Sequence, residues 1–159
     1  MDRAPSAPPR PARLSRMSCP AQCTIRLWLK RAPSSPWPAD GLRLLRLPFV
    51  IGRSPGPCGE APLRHVDLCL PDTDPYQLSP VHFCILAIGD GLSVLDLDSD
   101  LGTRVNGIAI GRASPRRHAS LRTGSNIVAA GPRGSRWVFD VHIGDAVGHP
   151  APGREFTFG

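Results

Sequence analysis

The sequence predicts an all-β protein, a sandwich of two packed, mainly antiparallel sheets. Three observations carry this. No window of about 11 residues holds a 3.6-residue apolar period, short apolar runs recur instead at period two, and turn signals such as Gly89-Asp90-Gly91, Asn106-Gly107 and Gly131-Pro132-Arg133-Gly134 separate them. Sheets with one apolar face need a partner layer, and a chain of 159 residues can supply both. The spacing of the runs predicts roughly 9 to 11 strands.

The first 22 residues contain Pro5, Pro8, Pro9, Pro11 and Pro20, which remove backbone donors and oppose regular pairing. They read as a disordered, basic, Pro/Arg-rich tail. A domain over residues 23–143 follows. In its first run Ile25, Leu27 and Leu29 alternate with Arg26, Trp28 and Lys30, the pattern of a strand with one buried face. A Pro-rich turn at 31–41 leads to LRLLRLPFVIGR, a second run ending at Gly52 and Arg53. Further strands are expected at 66–70, 82–88, 92–97, 103–107, 126–130 and 135–143, and GIAIG after Asn106 also reads as a strand. Residues 144–159 read as a C-terminal tail that docks through Phe156 and Phe158.

Composition bounds the function. A chain that is 41% hydrophobic builds one core, and no stretch approaches the roughly 20 apolar residues of a membrane span. The basic N-terminus lacks the apolar run of a secretory signal, so a cytoplasmic location is expected. The odd number of cysteines, five, agrees with a reducing compartment. The formal charge of +6 is confined to residues 1–31, where Arg3, Arg10, Arg13, Arg16, Arg26, Lys30 and Arg31 face only Asp2. The remainder is neutral overall, which disfavours a nucleic-acid footprint on the folded body.

DLDSDLGTRVNG, residues 96–107, spaces Asp96, Asp98 and Asp100 as a calcium loop spaces its carboxylates. A loop of that type also needs a Gly at its sixth position, a Glu at its twelfth and a helix on each side. Here those positions hold Leu101 and Gly107, and the flanks read as strands, with Asp96 and Asp98 on a polar, solvated side. Cys19 and Cys23 have no second pair at zinc-finger spacing, and the histidines form no HxH or HxxxH pair. There is no GxSxG elbow and no GxxxxGK[ST] loop. No enzyme activity, metal or cofactor is expected.

What carries chemistry is a set of three blocks at strand ends: VIGRS at 50–54, LSPVHF at 78–83 and DSDLGTRVNG at 98–107. Gly52, Gly102 and Gly107 permit tight or positive-φ backbone, so these loops can approach one another. An Arg beside a Ser hydroxyl and free backbone N–H groups suits a phosphate, because guanidinium offers forked, charge-assisted donors.

Gly-Arg, then Ser-x-x-His, then Gly-Thr-x-x-Asn-Gly in an all-β chain resembles the forkhead-associated (FHA) domain, over roughly residues 24–143. The Leu-Gly-Thr at 101–103 also occurs in bacterial members. The resemblance implies an FHA-like β-sandwich and a phosphothreonine-dependent protein-binding module, a signalling adaptor whose partner bears phosphothreonine, such as a Ser/Thr kinase or its substrate. By the family pattern Arg53, Ser79 and Thr103 would belong to the phosphopeptide-binding set. His82 would be a buried residue that holds the loops, with Gly52, Gly102, Asn106 and Gly107 shaping the turns. Three residues depart from the pattern. Pro80 deletes a donor after the Ser, Leu101 stands where Asn is common, and Asp100 would repel a phosphate dianion. These departures frame the second reading, a phosphate-independent interaction or scaffold domain with a degenerate site.

Overall fold

The computed structural model describes residues 17–18, 23–30, 37–54 and 66–145. In chain order the strands are β1 (Met17–Ser18), β2 (Cys23–Leu29), β3 (Leu42–Leu44), β4 (Arg46–Leu47), β5 (Phe49–Arg53), β6 (Leu68–Leu70) and β7 (Phe83–Ile88). They continue with β8 (Gly91–Asp96), β9 (Thr103–Val105), β10 (Ile108–Ile110), β11 (His118–Ser120), β12 (Gly124–Ala130) and β13 (Val138–Asp145). A six-stranded sheet has the order β10-β9-β12-β13-β2-β3, and a five-stranded sheet the order β11-β8-β7-β5-β6. Every pairing is antiparallel except β5 with β6.

The two sheets face each other across one core. Ile25, Leu27, Val128, Phe139 and Val141 supply it from the six-stranded sheet, and Ile51, Phe83, Ile85 and Val94 from the other. Phe83 and Phe139 meet edge-on across the interface, their ring centroids 5.7 Å apart. The period-two reading of β2 is correct, since Ile25 and Leu27 are buried while Arg26 and Trp28 are not.

LRLLRLPFVIGR is one apolar run in sequence but three strands in space. Leu44, Leu47 and Ile51 are buried while Leu45 between them is 66% exposed, so the period of two breaks there. The chain uses the break to change sheets: β3 pairs with β2, and β5 pairs with β7. Pro48, without a backbone N–H, stands between β4 and β5. β4 pairs with β1, so Met17–Ser18 are ordered within the segment expected to be irregular. β11 was not anticipated, because only Ala119 of its three residues is buried and no alternation is visible. The proposed docking of Phe156 and Phe158 lies outside the described residues.

Between β9 and β10 the two-residue loop Asn106-Gly107 has φ of 49° and 84°. Both values are positive, as a tight hairpin turn with the right-handed twist of its strands requires. Among the described residues there is no helix, hence none long and apolar enough to cross a membrane.

Candidate functional site

The expected site lies where β5 ends and two loops, 71–82 and 97–102, come together. Arg53 is the last residue of β5, and its N–H donates to the Ser79 carbonyl at 3.0 Å. Gly52 beside it permits this approach. A Cβ there would lie 2.0 Å from the Pro80 carbonyl oxygen, so any side chain would force the Ser79–Val81 turn off the strand. Arg53 donates from Nε to the Leu78 carbonyl at 3.0 Å, and its guanidinium carbon stands 4.1 Å above the Tyr76 ring. Its two terminal nitrogens have no partner among the described residues.

His82 ties the loops together. It is fully buried, and Nδ1 accepts the Ser79 N–H at 3.0 Å. Nδ1 therefore carries a lone pair, and the proton sits on Nε2, which donates to the Gly102 carbonyl at 3.0 Å. Its backbone also joins β5 to the strand end: its N–H donates to Ile51 and its carbonyl accepts from Leu97. Burial lowers the His82 pKa below the ordinary imidazole value, against the opposing pull of the Gly102 carbonyl and nearby carboxylates. A neutral ring with one donor and one acceptor is what the two contacts require.

Ser79 is nearly buried, and its hydroxyl accepts the Asp100 N–H at 3.0 Å. The Asp100 carboxylate lies 3.5 Å from the same hydroxyl. Its other oxygen is 3.8 Å from Nη1 of Arg112. Asp98 faces away, bridging Arg112 and Arg117, and the guanidinium contacts hold its carboxyl below the usual range. The three aspartates that suggested a calcium loop thus point to three different sets of partners.

Asp96 corrects the sequence reading. Asp96 is 3% exposed, not solvated, and accepts the Ser99 N–H, the Ser99 hydroxyl and the Thr103 hydroxyl at 2.9, 2.7 and 2.7 Å. Thr103 is 2% exposed and its hydroxyl donates to Asp96, so its side chain braces the loop. Gly102, at φ of 77°, accepts from His82 and from the Gly131 N–H. Asn106 and Gly107 sit at the far end of β9 from Gly102, where the Asn106 side chain accepts the Ile127 N–H and donates to Asn126. The structure therefore gathers Gly52, Arg53, Ser79, His82 and Gly102, and leaves the Asn-Gly turn as an anchor to β12.

A family model of the FHA domain matches residues 49–128, half of the chain. The chain belongs to the FHA domain family. Among solved structures it is similar to Mycobacterium tuberculosis EmbR in complex with a low-affinity phosphopeptide, at 21% identity and a TM-score of 0.51, over 82% of this chain and 26% of that one. It thus spans about a quarter of EmbR. It is also similar to full-length yeast Pml1p, at 20% identity and a TM-score of 0.52, over 86% of each chain. A third is the FHA domain of an Arabidopsis thaliana hypothetical protein, at 20% identity and a TM-score of 0.50, over 84% of this chain and 93% of that one. No curated protein matches.

Two residues that shape this FHA domain's loops were not anticipated. Asp72, its carboxylate buried, accepts the N–H groups of Gln77 and Leu78 at 2.6 and 2.8 Å. Its other oxygen accepts from Arg136 and from the Trp137 indole at 2.5 and 3.0 Å. Burial raises its pKa, but the donors from Leu78, Trp137, Arg136 and Gln77 outweigh that and hold it below the usual range. The loop 72–79 is thereby fixed to the turn between β12 and β13. Tyr76 rides on this loop. The Asp100–Thr103 loop also lines a groove of about 530 Å³, together with Arg104, Ala109 and Arg112.

Proposed function

We propose that this FHA domain is a phosphothreonine-dependent protein-binding module and not an enzyme, acting as an adaptor downstream of a Ser/Thr kinase. One observation supports the reading: the terminal nitrogens of Arg53 have no partner among the described residues, and the Arg53 N–H donates to the carbonyl of Ser79, on loops fixed by His82. Guanidinium and hydroxyl together offer charge-assisted and neutral donors to a phosphate. EmbR, which shares the fold, was solved with a phosphopeptide, and this supports the reading. The partner is a phosphothreonine-bearing protein, a kinase or its substrate, met in the cytoplasm.

A second reading rests on Asp100. Its carboxylate already faces the Ser79 hydroxyl, as it would in a domain that keeps the sandwich and binds partners without phosphate. Pull-down from lysate before and after phosphatase treatment separates the two. Capture lost on dephosphorylation supports phosphothreonine reading; capture that survives it supports the scaffold.

A further inference from the structure

Arg53 is the only cation assigned to the phosphate, yet a free arginine side chain samples many rotamers, and ordering it on binding costs affinity. In this chain two contacts act on the guanidinium before any ligand arrives. Nε is committed to the Leu78 carbonyl at 3.0 Å, and the Tyr76 ring lies against one face, 4.1 Å from the guanidinium carbon. A guanidinium is planar, with its donors in a fixed fork. One hydrogen bond at Nε and one ring against Cζ together restrict the side chain, and Nη1 and Nη2 are left without a partner among the described residues.

The platform is itself rigid. Leu78, which accepts from Arg53, and Gln77, which follows Tyr76, both donate their N–H groups to the buried Asp72 carboxylate. The Gln77 side chain accepts from the Arg136 N–H and the Ser135 hydroxyl, closing the loop onto the other sheet's turn. Tyr76 itself is 46% exposed, so packing in the core does not account for an aromatic residue there. Its ring is spent on Arg53.

We infer that Tyr76 is a positioning residue for phosphate recognition: its ring, with the Leu78 carbonyl, holds the Arg53 guanidinium in the orientation that presents Nη1 and Nη2 to the phosphate. The inference rests on the phosphothreonine reading above for its functional half, and on the free protein for its structural half. Replacing the ring leaves Arg53 charged but unoriented. The loss is therefore partial, about threefold to tenfold in affinity, the scale of an exposed cation–π contact plus some side-chain ordering.

The test uses the full chain and three variants, Tyr76→Phe, Tyr76→Leu and Tyr76→Ala. In the free protein, the Arg53 Nε–H signal is followed by NMR for its ring-current shift and its exchange with water. Tyr76→Phe retains the shift and slow exchange, while Tyr76→Leu and Tyr76→Ala lose both. Affinity for a phosphothreonine peptide selected by the wild-type chain follows the same order, with Phe within about twofold of wild type and Leu weakened like Ala, although Leu preserves apolar area. Wild-type Arg53 signals and affinity in Tyr76→Ala, or full rescue by Leu, overturn the inference. Should Tyr76→Ala fail to fold, the Phe and Leu pair decides it. Should the wild type bind no phosphothreonine peptide, the proposed function falls, while the Nε–H signals still decide whether Tyr76 orders Arg53.

Discussion

The Asp100 N–H donates to the Ser79 hydroxyl at 3.0 Å, and the carboxylate of the same residue stands 3.5 Å from that oxygen. One residue thus gives the Ser79 hydroxyl both a backbone donor and a neighbouring negative charge, and the charge would be unwelcome in the proposed phosphate site. The backbone contact orients the Ser79 lone pairs, and the carboxylate draws the hydroxyl proton to itself. In the proposed phosphate site, a phosphate between Arg53 and Ser79 would have to displace that carboxylate, whose other oxygen lies 3.8 Å from Arg112.

Asp100→Asn is therefore expected to bind phosphothreonine peptide more tightly than the wild type. The Asp100 side chain is largely exposed, so solvent and salt screen its repulsion. The gain is about threefold to tenfold at low ionic strength and shrinks as salt is raised. Isothermal calorimetry at two salt concentrations checks both parts. An unchanged or weakened affinity would show that the carboxylate does not compete.

His82 makes the fold sensitive to mild acid. Its folded pKa lies below the unfolded value of about 6.5, so the unfolded chain takes up the proton first. Stability is full above about pH 6.5 and falls as the pH drops from there toward the folded pKa, with a limiting slope of about 1.4 kcal/mol per pH unit for one proton. Urea unfolding between pH 7.5 and 5 measures it. His82→Gln is expected to be less stable at pH 7.5 and to lack this part of the slope.

Asp72 has a dependence of the same sign in a more acidic window. Its folded pKa is below the unfolded value of about 3.9, so its contribution is present above about pH 4 and is lost as the pH falls through the folded value. Asp72→Ala removes the acceptor for Gln77, Leu78, Arg136 and Trp137 together. The expected cost is about 3 kcal/mol in a denaturant titration, since several buried donors are left unpaired.

Gly52→Ala tests the contact between β5 and the Ser79–Val81 turn. The added methyl would meet the Pro80 carbonyl at 2.0 Å, and neither neighbour is a flexible side chain. The expected destabilisation is about 1 to 3 kcal/mol, with peptide binding lost more completely than stability, because Arg53 and Ser79 are the residues pushed apart.

Much of this was legible in the sequence. Alternation in TIRLWLK located a central strand, and Gly-Arg with Ser-x-x-His located residues that do converge, because each block is read from neighbours along the chain. Asp96 was misplaced although the signal was present: Leu92, Val94 and Asp96 share one phase of β8, and that phase faces inward. Thr103 followed Asp96 inward, as its partner is a buried carboxylate. The sheet change at Leu45 was hidden because an apolar residue on the surface looks like any other in the run. Asp72 and Tyr76 were beyond sequence reasoning, since their partners Trp137, Arg136 and Arg53 are brought to them only by the fold.

The central claim is that Arg53 reads phosphate. Calorimetric titration with a degenerate phosphothreonine peptide library, for the wild type and for Arg53→Ala, tests it most directly. Binding by the wild type is expected to fall about tenfold to 100-fold in the variant, matching charge-assisted hydrogen bonds of about 1.5 to 3 kcal/mol. Absence of binding to the phosphorylated library, or binding indifferent to the loss of Arg53, would contradict it.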